Sequence, residues 1–107
     1  MKRGALDAIQ EELQAERVAA LARISARCGA ALETWFALEA GLLPPLSSLR
    51  AQLARRLDLR DAAAEALWML LVQRESVGLR DHRGVLEGVP PEIRLRAGPR
   101  RRPSAPI

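Results

Sequence analysis

The densest set of groups able to do chemistry lies in one short stretch, Gln73-Arg74-Glu75 followed by Arg80-Asp81-His82, on either side of Gly78. Arginines there can hold an anion or a partner's carboxylate by bidentate hydrogen bonds, with His82 as a titratable group beside them. The same residue types also have local uses. Asp81 can cap the helix that follows, and Arg74 or Arg80 can tie the turn to Glu75 or to helix-end carbonyls. The local reading accounts for these types directly and is favoured. Arg74, Glu75, Arg80, Asp81 and His82 are the candidate partner or anion site.

Catalytic and metal chemistry find little support. His82 is the only histidine and Cys28 the only cysteine. Nucleophilic catalysis needs nucleophile, base and orienting group within reach, and Cys28 falls on an apolar helical stripe where a thiol acts as a small core residue. Asp81 beside His82 is poorly placed to orient it, since adjacent helical residues diverge. Two His/Cys residues in total do not make a zinc site. A di-iron bundle wants Glu-x-x-His pairs, and Leu79 stands three residues before His82. Asp61 with Glu65, and Glu12 with Glu16, share helix faces, but their charged or small neighbours mark solvated surface; Arg55-Arg56 read the same way. Phosphate-cradling glycine motifs are absent. The expectation is a non-enzymatic protein without metal or cofactor.

The remaining chemistry is positive charge. The sequence pI is about 10.9, yet five arginines crowd into Arg94, Arg96, Arg100, Arg101 and Arg102. Without them 12 basic residues face 13 acidic ones, so the basicity belongs to the C-terminal end. Arg100, Arg101 and Arg102 can contact nucleic acid weakly and without sequence readout. No aromatic is interleaved for base stacking, and a solubilising tail is the favoured reading.

The elements that position these groups are helical. Leu and Ala dominate an apolar content of 49%, with no Tyr and one Phe among 107 residues, a composition suited to helices and poor for strands. Asp7 with Gln10 resembles a capping box. From there apolar residues recur at Ile9, Leu13, Leu21, Ile24, Cys28, Ala31, Trp35 and Leu38, with intervals of three and four after Leu21. Gly41 and Pro44-Pro45 end this helix, and Gly29 within it marks a kink or a close helix approach. Ser47-Ser48 can cap a second helix burying Leu49, Leu53 and Leu57. Asp58 or Asp61 can cap a third, ending at Gly78, unless the two are one. Ala66-Leu67-Trp68-Met69-Leu70-Leu71-Val72 is apolar all round and reads as a central, surrounded helix. Asp81 can open a short fourth helix ending near Gly88, and Pro90-Pro91 a last turn closed by Gly98.

Within this frame, Ala63-Ala64-Glu65-Ala66-Leu67-Trp68, Val72-Gln73-Arg74-Glu75, Gly78-Leu79-Arg80-Asp81-His82, Val89-Pro90 and Glu92-Ile93-Arg94, with Leu6-Asp7 and Glu12-Leu13 upstream, resemble a family of short, uncharacterised bacterial helical proteins. The likeness is best over 63–98, implies a helical fold and implies no activity. Gly88 departs from it, standing where relatives carry an aromatic residue.

The architecture expected is an all-α small bundle: residues 1–98 as one domain, with a long N-terminal helix, a central hydrophobic helix and short C-terminal helices. Residues 99–107 are expected to form a disordered Arg/Pro-rich tail. The lone cysteine, the acidic start without a signal segment and the lack of a bilayer-length apolar run point to a cytoplasmic protein. A first helix of some 33 residues would reach about 50 Å, longer than a compact domain of this size. Unless it breaks at Gly29, it leaves Ile9 and Leu13, or Trp35 and Leu38, short of partners. A homodimer, or failing that an unidentified protein partner, would cover them.

Overall fold

The structure, a computed structural model, describes residues 4–98. It is a small all-helical bundle of four helices: α1 (Ala5–Glu39), α2 (Leu49–Ser76), α3 (Arg83–Leu86) and α4 (Pro91–Arg96). The tail 99–107, with Arg100, Arg101 and Arg102, lies outside the described residues. No helix among those described is long and apolar enough to cross a membrane.

Helix ends follow local backbone chemistry. Both long helices close with Schellman motifs: Gly41 and Leu42 donate to Leu38 and Ala37, and Gly78 and Leu79 to Glu75 and Arg74. The two glycines adopt φ of 72° and 89°, which costs glycine no Cβ clash. Ser48 caps α2 by accepting from the Ala51 amide at 3.1 Å. Pro91 takes the first position of α4 with Glu92 behind it. The start of α1 differs from expectation. It opens at Ala5 after Gly4, with no side-chain cap, and Asp7 sits in the first turn.

The main contact is between α1 and α2, which the short connection 40–48 folds back antiparallel. Arg56, early in α2, reaches Trp35 and Glu39 at the end of α1, and Gln73, near α2's end, shares a groove with Leu13, Glu16 and Arg23. The core is Cys28 and Trp35 from α1, Ala63, Ala64, Ala66, Leu67 and Leu70 from α2, and Val89 and Ile93 from the C-terminal segment. Three alanines on α2, Ala63, Ala64 and Ala66, let α1 and the C-terminal segment approach its backbone closely, with Trp35, Leu67 and Ile93 filling the space between.

Several expectations are corrected. Of the two readings left open for 48–77 the single helix holds: α2 runs unbroken through 58–61, so Asp58 and Asp61 lie inside the helix and cap nothing. No close helix approach occurs at Gly29. The helix continues through it, and a Cβ there would meet nothing within 4 Å. Leu49, Leu53 and Leu57 are exposed by 82, 57 and 39%; Leu49 and Leu53 stand before Arg56, which already lies level with the end of α1. The segment 66–72 is not surrounded: Trp68 and Val72 are exposed by 38 and 47%. They stand one turn apart on a flank of α2 rotated about 100–140° from Leu67, and α1 covers only the face of Ala63, Leu67 and Leu70.

Candidate functional site

The polar cluster at the C-terminal end of α2 forms around the Schellman turn that reverses the chain. The turn brings His82 back over the last turn of α2, where its side chain is 14% exposed. Arg74 donates from Nε to His82 Nδ1 at 3.2 Å and from Nη2 to the Asp81 carbonyl at 2.9 Å. An Nδ1 that accepts carries no proton, so Nε2 bears it and donates to Glu75 Oε1 at 3.1 Å. Both ring nitrogens are engaged, leaving neither lone pair nor proton facing an external group.

Asp81 turns the other way and, contrary to expectation, is not the cap of α3, whose capping position is His82 with no side-chain cap. Its Oδ1 accepts from the Arg83 amide and Arg83 Nε, both at 3.1 Å, and its Oδ2 accepts from Arg83 Nη2 at 2.9 Å. These hydrogen bonds, side-chain first, hold its carboxyl below the usual range. The structure thus brings Arg74, Glu75, Asp81 and His82 together and leaves Arg80 exposed outside their bonds. Arg83, which the sequence reading passed over, is Asp81's main partner; its spacing of two residues is the signal that could have found it.

A second polar set was also missed. The Arg56 guanidinium stands 4.7 Å from the centroid of the buried Trp35 ring and donates to Glu39 and Glu92, each at 3.0 Å. It joins α1, α2 and α4 at one point. Nearby, Asp61 Oδ1 accepts from Arg60 at 2.9 Å and Arg96 at 3.0 Å. Burial works to raise the Asp61 pKa, and the bonds from Arg60 and Arg96 outweigh it, so the group lies below its ordinary value. The partners are 17 to 36 residues apart, except Arg60, and no local pattern announces them. Among the described residues no group of three His, Cys, Asp or Glu is placed to hold a metal ion.

The third feature is apolar. Every residue from Gly4 to Ala19 is exposed; α2 reaches this stretch only at the groove that Gln73 shares with Leu13, Glu16 and Arg17. Leu6, Ile9 and Leu13 lie in this stretch, exposed by 67, 52 and 46%. At about 100° per residue they fall on the same face as Ile24, Ala31 and Trp35, which pack on α2. The seam that closes the bundle therefore continues uncovered for several turns. Ile9 and Leu13 were expected to lack partners; Leu6 extends the same row. Where α2 stops, an open groove of about 500 Å³ is lined by Leu13, Glu16, Arg17, Ala20 and Gln73.

No family model, curated protein or solved structure matches this chain.

Proposed function

We propose that the protein is a non-enzymatic helical interaction protein of the cytoplasm, and that the uncovered face of α1 is its docking surface. The observation that carries this reading is the row Leu6, Ile9 and Leu13, in line with the intramolecular seam and solvent-exposed. Amphipathic faces of this kind are buried in folded helical proteins, and a helix-in-groove or helix-on-helix contact reads such i, i+3, i+7 anchors. The polar cluster supports the reading from the other side: Arg74, Asp81 and His82 bond to one another, to Glu75 and to Arg83, so their geometry is that of a stitched turn. A nucleic-acid role has less support. Among the described arginines Arg56, Arg60, Arg83 and Arg96 bond carboxylates, and that role would rest chiefly on the run Arg100, Arg101 and Arg102.

The test is site-specific photo-crosslinking in the producing cell. A photoreactive residue at position 9 should give covalent protein adducts, and one at Ala22, exposed on the opposite side of α1, should give few. Equal yields from the two positions, or none from position 9, would overturn the docking surface.

A further inference from the structure

Resting on that docking surface, we infer that its occupant is a second copy of the chain, seated antiparallel so that each α1 takes the place α2 has vacated on the other. Along α1 the apolar face meets α2 as far as the groove at Gln73 and is bare beyond it. Whatever continues the seam must present a matching helix in the direction of α2, which is antiparallel to α1. The bare segment of a second copy, turned about a two-fold axis, is such a helix.

The sequence of the segment is self-complementary under that operation, as an isologous contact requires. An axis beside Ile9 and Gln10 places Leu6 of one copy opposite Leu13 of the other, and Ile9 beside its own counterpart. Gln10 then meets Gln10 on one edge of the seam and Glu12 meets Ala5 on the other, so no like charges are opposed at close range.

Charge selects a protein occupant. Residues 5–19 carry Asp7, Glu11, Glu12 and Glu16 against Arg17 alone, a net charge of −3. Anionic lipid and nucleic acid are repelled by such a segment. Two copies repel as well over longer distances, so their association should strengthen as salt screens the acids. A basic tail on nucleic acid behaves in the opposite way.

Three side chains per copy make a contact smaller than the 1,200–2,000 Å² typical of stable complexes. The dimer should therefore be reversible, half-formed at about 100 µM. It should also be long, about 120 Å end to end for an overlap of some ten residues, whereas one copy spans 69 Å.

Sedimentation velocity from 10 to 500 µM (about those limits) at low and high salt tests this, with solution scattering at the upper end. The full chain should move toward dimer mass with concentration and with salt, and Ile9→Glu should weaken association at least about tenfold. The position is exposed, so the variant keeps its fold, which its circular dichroism verifies. In a Cys28→Ala background, Ile9→Cys should cross-link to itself under mild oxidation, while Ala26→Cys, exposed off the seam, should not. A monomer at every concentration, without cross-linking at position 9, overturns the second copy as occupant and leaves the docking surface to another protein. A dimer indifferent to Ile9→Glu overturns the docking surface itself.

Discussion

Replacing Trp35 by alanine should be the costliest single substitution in the described chain. The ring is 1% exposed among Cys28, Leu67 and Ile93, so its removal forfeits the transfer free energy of a large aromatic and leaves a hole that rigid neighbours cannot fill. Emptied aromatic sites of this kind cost about 3–5 kcal/mol. The Arg56 guanidinium over the ring adds about 0.5–1 kcal/mol for a half-exposed cation. Glu39 and Glu92 remain to hold Arg56, so no stranded charge enlarges the loss. With a urea slope of about 1–3 kcal/mol/M, the midpoint should fall by about 2 M. A domain of this size has about 5–15 kcal/mol in all, so the variant should remain folded in the cold and melt early. The comparison that carries the argument is Trp68→Ala. Trp68 keeps 38% of its surface in water and should cost only about 1–2 kcal/mol. Urea titrations followed by far-ultraviolet circular dichroism measure both. If Trp68→Ala proves as costly as Trp35→Ala, the packing described for α2 is wrong.

Three further outcomes are expected. Asp61→Asn should lose about 1 kcal/mol at neutral pH, a figure discounted for the partly wet site. Because the folded carboxyl titrates below its unfolded value, that advantage is complete above about pH 4 and disappears as pH falls through the folded pKa, so wild type and variant should converge in acid melts. Burial raises the Cys28 thiol above its ordinary pKa, and its reaction with a disulfide reagent should be at least about 100-fold slower in native than in unfolded protein; a fast native reaction would contradict its place in the core. Arg74→Ala should release the turn from α2, raising amide exchange at Leu86 and Glu87 about fivefold or more while the centre of α2 is unchanged. Unaltered exchange there would show that the Arg74–His82 contact holds nothing.

Helix ends and the first seam were legible because they depend on neighbours in the chain. Gly41 and Gly78 stop helices through their own backbone freedom, Ser48 caps through an amide three residues away, and Cys28 and Trp35 fall at the helical period. The candidate polar cluster was legible for the same reason: Arg74, Glu75, Asp81 and His82 meet within a single turn. That the cluster is turned inward was not legible: its donors and acceptors satisfy one another.

Tertiary structure alone decided which apolar residues are covered. Trp35 and Trp68 both sit in helical patterns, and the surroundings of Trp68 are the more apolar, yet burial depends on what lies opposite. One helix covers one face, so α1 shields Leu67 and leaves Trp68 at the edge. Leu49 and Leu53 share the period of a buried stripe but stand before Arg56, past the end of α1. Asp61 has the residue type of a cap but lies inside the continuous α2, where Arg96, 35 positions later, bonds it. The bare row on α1 arises likewise from a comparison no local window contains. α1 has 35 residues and α2 has 28, and the turns of α2 before Arg56 lie past the end of α1, so the cover ends short of Leu13 and leaves Leu6 and Ile9 in water.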